Sequence, residues 1–242
     1  MRFGTWNVEY AAGVERNALR LELLKRQEAD VWVLTETHDD LDLSPAYAAV
    51  STEQRPTGRR GGRWTTIWSR WPVVEKFDVA DPIRTVAALL SAPSGNVIVY
   101  GTVLPWHSDP GTAASPAHGW AKQDRVLAEQ LGEWAQLRAL HPDVPLVVAG
   151  DFNMNLGGKH YYGTARGRKA LRDGVANIGL ACATETERLP ADALRHPPIN
   201  HVVVPVAWMP RARVVSAWEG KTLAPRLSDH SGLVVEIEAR HR

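Results

Sequence analysis

Apolar residues in this chain fall mainly into short runs bounded by turn residues, a pattern typical of buried β-strands. The predicted strands are, in chain order, 2–8, 30–34, 63–69, 73–79, 85–92, 96–104, 145–151, 199–204, 211–218 and 232–237. Turn signals such as Gly61-Gly62 and Pro93-Ser94-Gly95-Asn96 separate several of them. Strands therefore dominate the predicted secondary structure.

Three segments have helical spacing instead. The first, 14–28, places Leu19, Leu23 and Leu24 on one stripe, and a third helix is predicted near 167–178. The clearest helix is 120–140, and its predicted inner face is Val126, Leu127, Leu131, Trp134 and Leu137. Helices spaced among many strands predict an α/β (α+β) fold in which two sheets pack face to face with the helices outside.

Composition narrows the class of protein. The 242 residues contain 44% hydrophobic and 23% charged residues, so we expect a single domain, 1–242, with a full core. The formal net charge of +1 provides no strong global field for a polyanion. Cys182 is the only cysteine, which excludes an internal disulfide and a cysteine-cluster zinc site. With no apolar stretch of about 20 residues and no signal-like start, we expect no membrane span, a cytoplasmic location and a monomer.

Polar side chains recur at the ends of the predicted strands. They are Asn7, Glu36, Asp151 with Asn153, and Asp229 with His230. One such residue usually caps a turn, but four sites together place costly polar groups beside buried backbone. Because residues two apart in an extended strand point to the same side, Asp151 and Asn153 are predicted to address one substrate atom together.

This set of side chains suits phosphate chemistry. Carboxylate and amide oxygens are the ligands that Mg²⁺, Mn²⁺ and Ca²⁺ prefer. A histidine can transfer a proton or stabilise a phosphate oxygen. A hard cation, carboxylates and a histidine together favour hydrolysis of a phosphate ester.

Four motifs follow one another in order: Thr5-Trp6-Asn7, Thr35-Glu36-Thr37, Gly150-Asp151-Phe152-Asn153 and Ser228-Asp229-His230. They resemble the ordered motifs of the endonuclease/exonuclease/phosphatase superfamily, which includes pancreatic-type deoxyribonucleases, abasic-site endonucleases, neutral sphingomyelinases and inositol polyphosphate 5-phosphatases. The resemblance spans nearly the whole chain. It implies a four-layer α/β/β/α sandwich with two mainly antiparallel sheets, and a Mg²⁺ or Mn²⁺ cofactor.

The resemblance also implies a role for each residue. Glu36 would be the main metal ligand, with Asn7 and Asp229 close to the ion. Asp151 would position or deprotonate the attacking water and Asn153 would hold the phosphate. His230 would bond a phosphate oxygen and stabilise the transition state.

Two positions depart from the family pattern. Val103 stands where the family usually has a histidine, and valine cannot bond a phosphate oxygen. His107, four residues on, is a candidate to line the site, the alternative being a surface-loop histidine. Asn200 stands where the family usually has an aspartate that orients the catalytic histidine. Asparagine can still accept a hydrogen bond from His230, but without a charge it favours the imidazolium less.

The sequence leaves the substrate open. Candidate substrate-binding residues are Lys159, Tyr161 and Arg166, which follow the Asp151 strand, and Arg226, shortly before Asp229. An arginine-rich loop at 55–63 is a second basic segment. Arginines among aromatic residues favour nucleic acid, so a phosphodiesterase acting on nucleic acid is the first hypothesis. The alternatives are a phosphatase or a hydrolase of phospholipids or small phosphoesters, and a catalytically weakened protein that binds a phosphate ligand.

Overall fold

The computed structural model describes residues 1–11, 13–110 and 117–239. One six-stranded sheet contains β1 (Arg2–Asn7), β2 (Val31–His38), β3 (Ala48–Ser51), β4 (Gly62–Ser69), β11 (Ala212–Glu219) and β12 (Ser231–Ile237). The other contains β5 (Val73–Phe77), β6 (Val86–Ala92), β7 (Gly95–Val103), β8 (Leu146–Asp151), β9 (Leu180–Cys182) and β10 (Asn200–Pro205). The helices are α1 (Val14–Arg26), α2 (Gly119–Leu140) and α3 (Ala165–Asn177).

Each sheet has a parallel pair of strands at its centre. The strand orders are β11-β12-β1-β2-β4-β3 and β5-β6-β7-β8-β10-β9. β1 is parallel to β2 and β7 is parallel to β8, while the remaining pairs are antiparallel. The carboxyl ends of two parallel strands lie at the same edge of a sheet, and the start of an antiparallel neighbour lies there too. The first sheet therefore gathers the ends of β1 and β2 and the start of β12 at one edge, and the second gathers the ends of β7 and β8 and the start of β10.

The two sheets pack face to face through an apolar layer to which both contribute. Val33 and Ile67 of the first sheet lie in one buried cluster with Val99 and Val147 of the second. On the outer faces, Leu24 of α1 packs with Trp6 and Trp32 of the first sheet. Residues of α2 and α3, including Trp134 and Leu171, pack against Tyr100 and Val148 of the second. This arrangement is the predicted four-layer sandwich.

The structure differs from the predicted elements in three respects. The short strands β3 and β9 were not predicted, since three or four residues carry too little pattern to register. Leu19 was predicted to lie on the inner face of α1, but it is exposed. Leu24 is buried as predicted, and the other buried positions of α1 are Asn17 and Arg20. An arginine on a buried face is not expected from apolar periodicity, because its charge is normally solvated.

Gly150 is the penultimate residue of β8, directly before Asp151. Its φ is 141°, and an added Cβ would come within 2.0 Å of the Thr102 carbonyl oxygen on β7. Only glycine tolerates this backbone approach. The close contact places Asp151 against the end of β7.

No helix in the described part of the chain is long and apolar enough to cross a membrane.

Candidate active site

The predicted polar residues converge at the edge where the strand ends of both sheets meet. Asn7 ends β1, and its side-chain Nδ2 donates to Glu36 Oε1 at 3.1 Å and to Asp151 Oδ2 at 3.0 Å. One amide thus links the first sheet to the second. Asn7 Oδ1 accepts from the Glu9 backbone N–H at 2.9 Å, so Asn7 presents its NH₂ group to the two carboxylates.

The two carboxyl groups lie in a desolvated environment. Burial raises the pKa of Glu36, the hydrogen bond from Asn7 partly offsets this effect, and the charge of Asp151 adds to it. Burial likewise raises the pKa of Asp151, while the neighbouring His230 and the hydrogen bond from Asn7 offset part of the change. A carboxylate whose pKa is raised towards the working pH is a stronger general base than an exposed one.

The backbone at Glu36 departs from regular strand geometry. In the ladder between β2 and β4, Thr35 pairs with Thr65 and Thr37 with Arg63, while Glu36 is unpaired at a φ of 51°. A left-handed φ in a non-glycine residue costs about 1–3 kcal/mol and is concentrated at functional sites. The distortion turns the Glu36 side chain towards Asn7.

His230 is held by contacts from both sheets. Its Nδ1 lies 3.0 Å from Asn200 Oδ1 and 3.7 Å from Asp151 Oδ2. Its backbone N–H donates to Ser228 Oγ at 3.0 Å, and that hydroxyl donates to the Asn7 carbonyl oxygen at 2.6 Å. Asn200 therefore occupies the histidine-orienting position that the sequence predicted. Asn200 Nδ2 is buried without a hydrogen-bond partner in the described residues.

Asp229 and His230 lie on the wall of a cleft of about 370 Å³. Asp229 is half exposed, and its Oδ1 is 3.9 Å from His230 Nε2. The cleft is also lined by Tyr161, Arg195, His196, Lys221 and the rigid Pro197–Pro198 segment. Tyr161 stacks on His196 with ring centroids 4.7 Å apart. Tyr161 is thus the predicted substrate-binding residue that lines the same cleft as His230.

The Asp151–Asn153 pair differs from its prediction. The segment is not extended after Asp151, because Asn153 has a φ of 47°. Asp151 Oδ1 accepts from the Asn153 backbone N–H at 3.0 Å, and Asn153 Nδ2 donates to the Leu104 carbonyl at 2.9 Å. The two side chains are therefore close through a turn rather than through the same face of a strand. The Asn153 amide oxygen is the part of this side chain that remains for a substrate.

The remaining substrate-binding candidates lie elsewhere. Arg166 forms an ion pair with Asp124 of α2, and Arg226 forms one with Glu9. Lys159 is exposed in the loop after β8, where its carbonyl accepts from Asn155 Nδ2 at 3.2 Å. Two of these three cations are thus partly neutralised within the chain.

Val103 and His107 do not supply a histidine to the centre. Val103 is buried and pairs with Asp151 in the ladder between β7 and β8. His107 is exposed, and its ring packs edge-on against Trp120 with centroids 5.4 Å apart. Its backbone N–H donates to the Tyr162 hydroxyl at 3.3 Å. His107 therefore belongs to an aromatic group on the rim.

Several residues near the site were not singled out from the sequence. Arg195 and His196 line the cleft. Burial raises the pKa of the Tyr10 hydroxyl, and the nearby charge of Glu36 adds to the rise. Asn155 shapes the loop that carries Tyr161, since its Oδ1 accepts from the Tyr161 and Tyr162 backbone N–H groups, each at 2.9 Å. These residues lie in loops without apolar periodicity, so the sequence pattern does not identify them. Only Asn155 could have been noticed, because it follows Asn153 by two residues, as Asn153 follows Asp151.

The donor set fits a hard divalent cation better than a closed zinc site. Glu36 and Asp151 are like charges that share one amide donor, and a cation would offset their repulsion. The described residues contain no set of three or more His, Cys, Asp or Glu side chains arranged to hold a metal. Mg²⁺ commonly binds through one or two carboxylates and completes its shell with water and substrate phosphate. Glu36 is the residue best placed to provide such a carboxylate.

The fold and the site together define a class: a four-layer α/β sandwich with carboxylates, amides and a histidine at one end of its two sheets. The model of the Endonuclease/Exonuclease/phosphatase family matches residues 4–230. The chain therefore belongs to this family, whose enzymes hydrolyse phosphoesters and generally use divalent metals. The predicted resemblance is confirmed.

Solved structures share the fold over almost the whole chain. A 3′–5′ exonuclease from Neisseria meningitidis is 17% identical with a TM-score of 0.68, covering 99% of this chain and 100% of its own. An AP endonuclease from Archaeoglobus fulgidus is 14% identical with a TM-score of 0.68 and the same coverage. A mannosyl-6-phosphatase from Bacteroides thetaiotaomicron is 14% identical with a TM-score of 0.63, covering 98% of each chain. No curated protein matches the sequence. At these identities the likeness shows the fold alone.

Replacement of Glu36 by the uncharged glutamine is expected to stabilise the metal-free protein. Glu36→Gln keeps the acceptor for Asn7 and removes a buried negative charge that faces Asp151. We expect Tm at pH 7.5 to rise by roughly 2–4 °C, equivalent to about 1 kcal/mol for a domain of this size. Differential scanning fluorimetry in chelator measures the change, and the exposed Glu15→Gln serves as the control.

The pH dependence of this gain has a defined sign. Folding raises the pKa of Glu36, so the ionised side chain lowers the free energy of unfolding. This penalty is absent below the pKa of the unfolded state, near 4.5, and grows as the pH rises through the pKa of the folded state. The Tm difference between Glu36→Gln and the wild type is therefore expected to shrink as the pH falls from 7.5. Addition of Mg²⁺ should raise Tm of the wild type but not of Glu36→Gln. A lower Tm for Glu36→Gln at pH 7.5 would contradict the assignment.

Proposed function

We propose that this chain is a phosphoesterase that depends on Mg²⁺ or Mn²⁺ and hydrolyses nucleic-acid phosphodiesters. The observation that carries the proposal is the buried Asp151 carboxylate, which lies between the Asn7–Glu36 pair and His230. The chain acts as a single domain in this proposal, since residues of both sheets form one apolar layer and both supply site residues.

Asp151 is the proposed general base. Its Oδ2 accepts a proton from a water molecule, and the water oxygen attacks phosphorus as the bond to the leaving oxygen breaks. The leaving oxygen then takes a proton from solvent. Asn7 fixes Asp151 Oδ2 at 3.0 Å, and the Asn153 backbone N–H fixes Oδ1 at 3.0 Å, so the base is oriented before substrate arrives.

His230 is proposed to stabilise charge on a phosphate oxygen. Because Nδ1 faces Asn200 Oδ1, its Nε2 is the nitrogen available to a substrate, and Asp229 lies on that side. A cation bound at Glu36 would supply stabilisation of negative charge on the phosphate oxygens. Asn7 and Asp229 are predicted to lie close to that ion, and in this rotamer the Asn7 oxygen is engaged by Glu9.

A nucleic-acid substrate is supported by the rim of the site. Tyr161 and His196 form a stacked pair beside His230, and aromatic side chains are typical platforms for bases. Two of the compared structures carry the titles of a 3′–5′ exonuclease and an AP endonuclease. The substrate-binding roles of Tyr161, Lys159, Arg166, Arg226 and His107 remain predictions within this proposal.

A small phosphoester is the second candidate. The cleft beside His230 holds about 370 Å³, which suits one small group. Arg166, Arg226, Arg59 and Arg63 all form ion pairs within the chain, so the surface offers fewer unpaired cations to a polyanion. A mannosyl-6-phosphatase shares the fold. Phospholipid head groups belong to the same class of alternative substrate.

Salt dependence separates these two candidates. Affinity for single-stranded and duplex oligonucleotides should fall steeply between 50 and 200 mM NaCl if several phosphates are contacted, by about 10-fold or more. Affinity for a small phosphomonoester or a chromogenic diester should change much less. Turnover of small esters alone, with oligonucleotides neither bound nor cleaved, would rule out the nucleic-acid proposal and favour the second candidate.

Substitution of Asn200 tests the alternative of a weakened, ligand-binding protein. Asn200→Asp would place a carboxylate 3.0 Å from His230 Nδ1, which favours the imidazolium. We expect kcat to rise about tenfold or more, since a carboxylate that hydrogen-bonds a catalytic histidine contributes strongly to kcat in enzymes that have one. Asn200→Ala, which removes the acceptor, should lower kcat. If the wild type binds Mg²⁺ and phosphate but no variant turns over any phosphoester, the binding alternative is correct.

A further inference from the structure

An arginine outside the strand-end motifs, Arg55, packs on the turn that follows Asn7. The Arg55 guanidinium carbon is 4.6 Å from the centroid of the Tyr10 ring and 4.0 Å from that of Trp64. Tyr10 directly follows Glu9, whose backbone N–H donates to Asn7 Oδ1 at 2.9 Å, and Asn7 Nδ2 in turn donates to Glu36 Oε1 at 3.1 Å. Tyr10, Arg55 and Trp64 therefore form one group, the Arg55 site, beside the proposed metal ligand.

The backbone that carries Tyr10 is strained in a way that fixes this group. Glu9, Tyr10 and Ala11 have φ values of 49°, 61° and 44°, three successive non-glycine residues in the left-handed region. Such conformations each cost of the order of 1 kcal/mol or more and persist only where surrounding contacts hold them. Here the Glu9 N–H donates to Asn7 Oδ1 at 2.9 Å, and Asn17 Nδ2 donates to the Ala11 carbonyl at 2.8 Å. The turn presents Tyr10, which is 46% exposed, to the Arg55 guanidinium.

Arg55 differs from the arginines around it in its partners. Arg59 pairs with Asp40 and Arg63 with Asp39, whereas no acidic group of the described chain forms a salt bridge with Arg55. A guanidinium stacked on aromatic rings keeps its charge and its fork of N–H donors, which matches two oxygens of a phosphate. Its Nε is buried without a hydrogen-bond partner in the described residues. These features favour an anionic ligand over a structural role.

The Arg55 site also adjoins the position where the family histidine is missing. Trp64 packs against Trp106 with ring centroids 5.6 Å apart, and Trp106 follows Val103 by three residues at the end of β7. Arg55 is thus linked by two rings to the loop that begins at Val103, and by Tyr10 to Glu36.

We propose that Arg55, held by Tyr10 and Trp64, binds an oxygen of the substrate phosphate beside Glu36 and supplies the phosphate-binding group absent at Val103. The ligand class is a phosphate oxyanion, whether of an ester or of inorganic phosphate. Arg55 is a substrate-contacting residue in this proposal, and Tyr10 is a positioning residue. The inference rests on the proposed function.

The test uses inorganic phosphate as the probe, so that it needs no turnover. Binding is measured by calorimetry on the full chain in Mg²⁺, for the wild type, Arg55→Ala, Arg55→Lys and the control Arg59→Ala. A charge-assisted hydrogen bond lost at Arg55 should weaken phosphate binding roughly 10- to 100-fold in Arg55→Ala. Arg55→Lys should recover part of the loss, because it restores a point charge without the fork. Arg59→Ala should stay within about twofold, since its partner is Asp40.

Tyr10→Phe separates positioning from binding. It keeps the ring under Arg55 and removes the hydroxyl, so a severalfold loss of phosphate affinity is expected, smaller than in Arg55→Ala. Circular dichroism and Tm establish that each variant is folded, and Arg55→Lys carries the test if Arg55→Ala is not. Unchanged phosphate affinity in a folded Arg55 variant, with the wild type binding phosphate, overturns the Arg55 inference and leaves the proposed function intact. A wild type that binds no phosphate in Mg²⁺ counts against both.

Discussion

Replacement of Asp151 by asparagine is expected to lower kcat for phosphoester hydrolysis by about 10³-fold, within the range for loss of a general base. The asparagine side chain has nearly the same shape, and its oxygen can still accept from the Asn153 N–H. It cannot take a proton from water at neutral pH. Because a buried carboxylate whose pKa is raised by burial is removed, Tm in chelator should not fall. Steady-state kinetics with Mg²⁺ and thermal unfolding measure the two effects.

The control for this substitution is Asp173→Asn. Asp173 is exposed on α3, where it pairs with Lys169 one turn away, far in sequence and structure from the strand ends. Its kcat and Tm should match the wild type. If Asp151→Asn retained kcat within about tenfold of the wild type, the assignment of Asp151 as the base would be wrong.

Replacement of Arg20 by methionine is expected to cost about 3 kcal/mol of stability and also to lower activity. Arg20 is completely buried on α1, and its Nε and Nη2 donate to the Leu227 carbonyl at 2.9 and 2.6 Å. Its Nη1 donates to Asn17 Oδ1 at 2.7 Å, and burial lowers its pKa to about 10. Methionine fills similar space but leaves buried acceptors without a charged donor. Tm should fall by roughly 6–12 °C.

The expected loss of activity follows from the position of Leu227 in the chain. Leu227 stands directly before Ser228, Asp229 and His230, so Arg20 anchors the segment that carries the proposed catalytic histidine. At assay temperatures below the Tm of the variant, we expect kcat to fall several-fold and KM to change less. Arg16→Ala, one turn earlier on the exposed face of α1, is the control and should shift Tm by less than about 2 °C. A stable, fully active Arg20→Met would show that this buried arginine does not organise the site.

Much of this site follows from the sequence because of how the strands are arranged. An apolar run followed by a polar residue predicts a buried strand with a side chain at its end, and this holds for Asn7 and Asp151, whereas Asn200 stands at the start of its strand. The parallel pairs at the centre of each sheet then bring such ends together. Asn200 replaces the aspartate of the family pattern, and the sequence predicted that it would still accept a hydrogen bond from His230. The structure has this contact.

Other features depend on backbone conformations and loops that periodicity does not encode. The extended geometry expected for Asn153 was wrong, because a left-handed residue turns the chain after Asp151. The turn that aims Tyr10 uses three non-glycine residues with positive φ, which no local preference predicts. On α1, Leu24 is buried as expected, but Leu19 is exposed and Arg20 is buried, since the backbone carbonyl of Leu227 accepts from the Arg20 guanidinium.

The most direct test of the central claim is a turnover assay of the wild type on a substrate panel, with Mg²⁺, with Mn²⁺ and with chelator. The panel comprises a chromogenic diester, plasmid, abasic-site duplex, single-stranded RNA, inositol phosphates and sphingomyelin. The account predicts hydrolysis of at least one phosphoester that chelator abolishes, added Mg²⁺ restores and Asp151→Asn lowers by about 10³-fold. Hydrolysis that persists in chelator or stays within about tenfold of the wild type in Asp151→Asn, or no hydrolysis of any phosphoester, would contradict it.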